Sequence, residues 1–431
     1  MADTQHNDLS RRNRVALQVI GPFQAFARSG SLGGLFLLLA ALLAFAWANS
    51  PWAATYNGIL SEYLSLNLGD WSLRLSLAHW VNDGLMAIFF LMVGLELKRE
   101  LITGELSRPR QAALGVAAAL GGMVIPALVY VLINRGGAGL EGWAIPMATD
   151  IAFALAAISV LGSRVPLGLK VFLTALAIVD DLGAVLVIGL FYTSGLNLGA
   201  LGVAFALLAS LFVFNRMGIR HLGVYLIPGI FLWYFVLLSG LHATLAGVLI
   251  AFIIPIARRV TAPVDELREA VKAGDAEAVG SHLAAVERVL EAKQSPLHRL
   301  EHALHPYVNF LVLPIFALFN AGLSLAGVGV GSVTLGIAAG LVVGKPLGVF
   351  LLSFIAVKTG LAQLPAGVTW RGVLGVGLLA GIGFTMSLFI AGLSFEAELY
   401  NQARLGIIVG SLVSAGLGIA LLATGKRTVA P

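Results

Sequence analysis

The residues best able to do chemistry in this sequence are the few charged groups inside apolar runs. Asp150 lies in one such run, Asp180 and Asp181 are neighbours in another, and Lys345 is the one basic residue deep in a third. If these runs cross a bilayer, each charge costs about 2.5 to 3.5 kcal/mol to insert, and such charges commonly mark ion or substrate pathways. We therefore take these four residues as candidates for a functional site.

The two adjacent aspartates can have different roles. Neighbouring residues on a helix point about 100° apart, so one carboxylate can bind an ion while the other meets a partner. Lys345 is the natural partner for Asp180, because a buried charge left alone is far more costly than a paired one. Close carboxylates also disfavour simultaneous ionisation, so a cation can compete with protons for Asp181. The simpler alternative is a salt bridge that only fixes helix packing, but it leaves Asp150 and Asp181 unexplained.

The remaining ligands for a cation can be inferred from its chemistry. A hard alkali cation prefers oxygen, so the Thr149 hydroxyl, carboxylates, backbone carbonyls and water would form a suitable shell. A transition metal prefers imidazole or thiolate, but the chain has no cysteine and its eight histidines mostly flank the apolar runs. We therefore expect a site for a transported cation and no resident cofactor.

The composition indicates the elements that must position these residues. Hydrophobic residues make up 58% of the 431, and only 11% are charged, against about 25% in an ordinary soluble domain. A membrane-spanning helix needs about 20 mainly apolar residues. The chain contains twelve such runs, which predict an all-α polytopic membrane protein. They are 32–48, 79–97, 112–133, 144–162, 168–192, 198–214, 222–237, 240–257, 303–323, 333–357, 372–392 and 403–424.

The positions of the basic residues predict the orientation of these spans. With the N-terminus inside, 23 of the 27 Lys and Arg residues lie in inside loops and three lie outside. Basic loops are retained in the cytoplasm, so both termini are expected there. We expect cytoplasmic segments at 1–31 and 425–431 around a membrane domain at 32–424. This topology explains the net charge of +5 without nucleic acid.

Two segments between the spans have their own patterns. Residues 64–77 alternate apolar and polar side chains around Gly69-Asp70, which predicts an extracytoplasmic β-hairpin. The hairpin could be a loop paired with itself or a contact between subunits. Residues 261–293 predict one or two amphipathic helices within a cytoplasmic insert at 258–301.

Two predicted spans contain residues that can interrupt a helix. Gly142 and Pro146 precede Thr149-Asp150, and the eleventh run contains Gly381 and Gly383. Helix breaks at membrane depth are tolerated where the freed backbone groups face protein or a cavity. Paired breaks in corresponding halves point to a transport site at the midplane. The alternative is that these small residues only allow close helix packing.

Together these motifs resemble the NhaA family of bacterial sodium/proton antiporters, in the family's order from about residue 22 to the end. The similar segments are Phe90–Leu101, Gly142–Leu155, Ala175–Ala184, His242–Gly247, Arg299–His302, Gly344–Gly348 and Gly381–Ser387. The resemblance implies twelve spans with inverted-topology repeats and two discontinuous helices that cross. It also implies an electrogenic, pH-regulated exporter of Na+ and Li+ in exchange for external protons. Such a protein serves pH and sodium homeostasis in the bacterial inner membrane.

The resemblance also implies roles for individual residues. Asp181 matches the main ion-binding carboxylate, and Asp180 matches the neighbour that pairs with the lysine at Lys345. Asp150, beside Thr149, matches the acid that offsets the positive ends of the half-helices, and Lys345 offsets their negative ends. The hairpin at 64–77 matches a homodimer contact. A funnel associated with pH activation matches Glu96, Glu100, Arg299, Glu301 and His302, and His242 matches a histidine tied to the pH response. By position alone, His242 could equally be a packing residue.

This sequence departs from the family pattern in the long insert and at His298, where we expect lysine. Both departures bear on the pH set point and neither touches the ion site.

The sequence also allows two alternative functions. An intramembrane aspartyl protease could formally use Asp150 and Asp181, but the sequence has no Gly-x-Gly-Asp pattern. A passive cation channel would conduct sodium without proton counterflow.

Overall fold

A computed structural model describes residues 30–424 except 70, 108, 194, 257–270, 272, 274–294, 327 and 366. The described chain is mostly helical, as the apolar runs predict. Its α-helices are α1 Gly30–Ala48, α2 Ala53–Ser61, α3 Met86–Ile102, α4 Pro109–Ile133, α5 Ile151–Val160, α6 Leu167–Phe191, α7 Leu198–Arg216, α8 Gly223–Leu238, α9 Thr244–Ile253, α10 Pro296–Tyr307, α11 Leu313–Asn320, α12 Ser332–Ala339, α13 Lys345–Lys358, α14 Trp370–Ala380, α15 Phe384–Ser394 and α16 Ala397–Ala423, with a further single turn at Leu77–His79.

Three π-helical segments, each five or six residues long, continue these helices. They are Trp80–Leu85 before α3, Val308–Val312 between α10 and α11, and Gly340–Gly344 between α12 and α13. The third segment leads directly into Lys345, so α12 and α13 form a single span from Ser332 to Lys358. A π-helical turn changes the direction of the side chains that follow it, and such turns are frequent at functional sites.

Six described helices are individually long and apolar enough to cross a membrane, and up to nine spans result if three bent helix pairs are each counted once. The apolar runs at 222–237 and 240–257 correspond to the shorter helices α8 and α9. Helix α9 ends at Ile253 because Ile254 turns to an extended conformation just before Pro255. The described part of the chain is therefore a polytopic helical bundle, and the count of twelve remains a prediction.

Two of the bent pairs are the interrupted spans that the sequence predicts. A 3₁₀ segment at Ala138–Met147 is followed by α5 at an angle of 46°, and the break contains Thr149 and Asp150. Helices α14 and α15 meet at 47° across Gly381–Gly383. Each interrupted span therefore places two helix ends inside the bundle, where their unpaired backbone groups need partners.

The predicted hairpin is present. Strand β1, Tyr63–Leu68, pairs antiparallel with β2, Trp71–Ser76, and Leu68 is opposite Trp71. Gly69 in the turn has φ +60°, a conformation that glycine adopts without the steric cost of a side chain. The predicted N-terminal segment at 1–31, the C-terminal segment at 425–431 and the amphipathic helices at 261–293 lie mainly or wholly outside the described residues.

Candidate ion-binding site

Asp150 joins the two interrupted spans at their break. It is the N-cap of α5, where its Oδ1 accepts a hydrogen bond from the Phe153 amide at 3.1 Å. Its Oδ2 accepts from the Thr385 amide at 3.0 Å and from the Thr385 hydroxyl. Thr385 lies in the first turn of α15. A single carboxylate therefore satisfies amides at two helix N-termini, where negative charge is favourable.

The two facing helix C-termini also have donors. The buried Thr149 hydroxyl donates to the carbonyl of Ala380 at 2.9 Å, at the end of α14. The Lys345 ammonium donates to the carbonyl of Met147, at the end of the 3₁₀ segment. A cation is favourable at a helix C-terminus for the same reason that an anion is favourable at an N-terminus. Inside the bundle, a carboxylate therefore accepts hydrogen bonds at the two helix N-termini, and a hydroxyl and an ammonium group donate to the two C-terminal carbonyls.

Lys345 also contacts Asp180. Its Nζ lies 2.7 Å from Asp180 Oδ2, and the two side chains are 0% and 1% exposed. Asp180 comes from α6, Lys345 from the start of α13, and Thr149 lies beside the Asp180 carboxylate. An ion pair this deeply buried is unfavourable unless its geometry is good, and removing one partner leaves an uncompensated charge.

Asp181 has a different environment from its neighbour. It is 3% exposed, and no described residue donates a hydrogen bond to it. The charges that act on it most are Asp180, Glu96 and Asp150, with Lys345 as the counter-charge. Among the described residues, no group of three or more His, Asp or Glu side chains could hold a metal ion. A cation at Asp181 would therefore complete its shell with hydroxyl, carbonyl or water oxygens.

A second group of charges, which we call the Arg99 cluster, lies at the end of α3. Arg99 contacts Glu100 at 2.7 Å, Glu96 at 3.8 Å and Glu301 of α10 at 2.9 Å. His298 Nδ1 lies 3.6 Å from the other oxygen of Glu301. One guanidinium thus faces three carboxylates from two helices, so any movement of Arg99 changes the electrostatic environment of all three.

The structure does not bring together every residue of the predicted funnel. Arg299 and His302 are exposed on α10 and make no ion pair with a described residue. His242 hydrogen-bonds through Nε2 to the carbonyl of Tyr192 at 2.6 Å, and Asp83 is the charged group that acts on it. Asp83 precedes α3 and the Arg99 cluster lies near the other end of that helix, so the structure places His242 apart from the cluster, and its role in the pH response remains a prediction.

The family model for the Na+/H+ antiporter 1 family matches residues 24–422. The chain belongs to this family. The matched range includes the residues described at the two helix breaks and those of the Arg99 cluster.

Curated members of this antiporter family match almost the full chain. A protein named Na(+)/H(+) antiporter NhaA from Mesorhizobium japonicum is 53% identical over 411 residues, which is 94% of each chain. Proteins of the same name from Bordetella parapertussis and Escherichia coli O139:H28 are 50% and 48% identical. They cover 93% of this chain, and the alignments span 95% and 98% of those proteins.

Two residues with prominent contacts in this antiporter structure were not singled out from the sequence. Thr385 supplies two hydrogen bonds to Asp150, and its position just after the glycines of the break is the sequence signal that could have identified it. Arg99 stands between Glu96 and Glu100, and this flanking by acids suggests an ion pair. The sequence alone does not reveal that Arg99 also reaches Glu301, 202 residues away.

Proposed function

We propose that this protein is a secondary antiporter that exports cytoplasmic Na+, and also Li+, in exchange for external protons. The observation that supports this most is the contrast between two adjacent buried aspartates. Asp180 is paired with Lys345, whereas Asp181 has no hydrogen-bond donor among the described residues. An unpaired buried carboxylate is costly when ionised, so it should take either a cation or a proton.

In the proposed cycle, Asp181 binds Na+ and a proton in alternation. Asp180 releases or regains its own proton as its pairing with Lys345 changes. More than one proton can then move for each sodium ion, which makes the exchange electrogenic and allows the membrane potential to drive it. Thr149 lies beside Asp180, and we propose that its hydroxyl supplies a further oxygen to the ion. The transported ions are the substrates, and the cycle requires no cofactor.

We propose that the contacts at the two helix breaks give this cycle a means of alternating access. Asp150 bonds to amides at the start of α5 and of α15, and Lys345 bonds to the carbonyl that ends the 3₁₀ segment. Charge changes at Asp180 would act through Lys345 on these helix ends. We propose that the two interrupted spans shift together and open Asp181 to one side of the membrane at a time.

The Arg99 cluster supports a proposal for pH regulation. Glu96 lies near both Arg99 and Asp181, and Glu100 and Glu301 share the same guanidinium. Protonation of these carboxylates would weaken their hold on Arg99 and change the electrostatic environment of the ion path. We propose that Glu96, Glu100 and Glu301 set the activating pH. We assign Arg299 and His302 to the same response only through their match to the family motif, and we propose that His242 contributes to the pH response from outside the Arg99 cluster.

The orientation and assembly of the molecule form a separate part of the proposal. We propose twelve spans with inverted-topology repeats in the bacterial inner membrane, with both termini cytoplasmic. The domain boundaries at 32–424 and the insert at 258–301 remain predictions. We further propose a homodimer that forms through the hairpin at 64–77, with the lipid bilayer as a further partner and no role for nucleic acid.

The contacts of Asp150 argue against an intramembrane protease. Such an enzyme needs two aspartates that share one water. Both oxygens of Asp150 instead accept hydrogen bonds from Phe153 and Thr385. A passive channel is a separate alternative, since it predicts sodium flux without a counterflow of protons.

The proposal can be tested with purified protein in proteoliposomes that contain a pH-sensitive dye. Under an imposed pH gradient, added Na+ should drive proton movement with the native protein. The Asp181→Ala variant should abolish it, while Glu396→Gln, at an exposed carboxylate outside the site, should retain it. Unaltered exchange by Asp181→Ala would refute the role of Asp181, and sodium flux without proton movement in the native protein would favour a channel.

A further inference from the structure

Lys98 is a buried lysine that the proposed cycle does not use. It is 9% exposed and makes no ion pair with a described residue. Its Nζ instead donates to two backbone carbonyls, Phe252 at 2.7 Å and Ile254 at 2.5 Å. These carbonyls lie at the C-terminal end of α9, where a cation is favourable because the helix leaves carbonyls without intrahelical donors.

Lys98 belongs to a wider set of contacts with this helix end. Between the two carbonyls that Lys98 contacts, the carbonyl of Ile253 accepts a hydrogen bond from the Asn215 side chain of α7. The next carbonyl, Pro255, accepts from the Leu297 amide of α10 at 3.3 Å. Four successive carbonyls therefore receive donors from three other helices. We call residues 252–255 the carbonyl hub.

The helices that Lys98 joins are already in close contact. A Cβ added to Gly94 of α3 would lie 2.7 Å from the Ala251 side chain of α9. A Cβ added to Gly247 of α9 would collide with the carbonyl of Ala87 in α3. Backbones this close leave little room to slide, so the bonds from Lys98 fix the last turn of α3 relative to the hub.

That last turn bears the Arg99 cluster. Arg99 immediately follows Lys98 and forms an ion pair with Glu301 of α10. Helix α10 also contacts the carbonyl hub through the Leu297 amide. Helix α9 contributes carbonyls and no titratable side chain to this region. Among the described residues, the charged or titratable groups around Arg99 come from α3 and α10, and Asp181 of α6 interacts with Glu96. The groups from α3 and α10 are Glu96, Glu100, Glu301, His298 and, through Glu301, His305.

We infer that Lys98 is a positioning residue that holds Arg99 in place among Glu96, Glu100 and Glu301 by anchoring the end of α3 to the carbonyl hub. The inference rests on the proposed exchange function, because its main effect is on the pH dependence of that exchange. Without the anchor, Arg99 moves away from the carboxylates, and a carboxylate that loses a nearby cation keeps its proton to a higher pH.

The test compares variants in proteoliposomes by the pH at which Na+-dependent proton movement is half-maximal. Lys98→Met should move this midpoint to higher pH by about 1 unit, the lower end of the shift expected when a carboxylate loses a close opposite charge. Lys98→Arg should restore the native midpoint because it retains a donor and a charge. Asn215→Leu, which removes a neutral bond to the same hub, should lower the melting temperature without moving the midpoint.

A second substitution of Lys98 and a Glu301 variant background provide further tests of the inference. Should Lys98→Met not fold, Lys98→Gln keeps amide N–H donors but loses the positive charge, and it should shift the midpoint in the same direction. The shift should disappear in a Glu301→Gln background, because Lys98 acts through the Arg99–Glu301 contact. A native midpoint in Lys98→Gln, an equal shift in Asn215→Leu, or a shift that persists without Glu301 would overturn the inference. Native protein that shows no Na+-dependent proton movement would instead refute the proposed function.

Discussion

Asp180 and Asp181 are neighbours on α6, yet their side chains meet different surroundings. Asp180 forms a buried ion pair with Lys345 at 2.7 Å, and Asp181 lies near other carboxylates without a described hydrogen-bond donor. Because a helix turns about 100° per residue, adjacent side chains reach different helices. This difference lets one acid respond to a protein cation while the other is open to a transported one.

Removing only one partner of the Lys345–Asp180 pair should strongly destabilise the protein. Lys345→Met leaves Asp180 buried without its counter-charge, so we expect the free energy of unfolding to fall by about 3 to 5 kcal/mol. Adding Asp180→Asn should recover part of this loss. Thermal unfolding in one detergent measures both, and Lys358→Met, at an exposed lysine on the same helix, is the control. Equal losses from Lys345→Met and Lys358→Met would contradict the importance of the pair.

At the residue scale, the sequence predicts a contact when one buried group requires an oppositely charged partner. It does not predict a contact that depends on how distant segments meet in the fold. The pairing of Lys345 with Asp180 was predictable because a buried lysine requires a counter-charge. The hydrogen bond from Thr385 to Asp150 depends on how two breaks meet in space, and no local pattern encodes that. The motif match of His242 likewise does not indicate which end of a neighbouring helix its side chain faces.

The helices position the site through interruptions and close packing. The breaks at Thr149-Asp150 and at Gly381–Gly383 were predictable because glycine and polar residues interrupt apolar runs there. The π-helical segment Gly340–Gly344 was not, since its composition is compatible with an ordinary α-helix. Helix α13 then packs directly on α4, with Gly348 against Gly121. This contact holds the span that presents Lys345.

Helices α13 and α4 are too close at Gly348 for a side chain to fit between them. A Cβ at Gly348 would collide with the carbonyl of Gly121, so Gly348→Ala should destabilise the fold by about 1 to 3 kcal/mol through overpacking. Gly416 of α16 has open space around its position. Gly416→Ala should therefore leave the melting temperature unchanged or slightly higher. If both variants melt at the native temperature, the two helices are less tightly packed than described.

At the scale of the whole molecule, the described residues form a mostly helical bundle with one extended β-hairpin. Tyr63, Leu64 and Leu66 of β1 are all exposed, with Tyr63 packed against Arg74 of β2. Alternation around a Gly-Asp turn made the hairpin predictable. Sequence patterns did not establish the number of spans, because a short helix such as α9 has the composition of a span without its length.

The proposed dimer gives a prediction that the absence of native cysteine makes easy to test. A single cysteine at exposed Leu66 should form a covalent dimer with a short bifunctional thiol reagent in membranes. A cysteine at Val160, exposed at the end of α5, should not. Equal crosslinking at both positions, or none at Leu66, would argue against assembly through the hairpin.

The central claim is that Na+ and protons compete for Asp181. The most direct measurement adds Na+ to purified protein in weakly buffered detergent solution and records proton release together with sodium binding. The account predicts that the native protein releases protons as sodium binds, and that Asp181→Asn loses both signals while Glu396→Gln keeps them. Sodium binding by the native protein without proton release, or undiminished binding by Asp181→Asn, would contradict it.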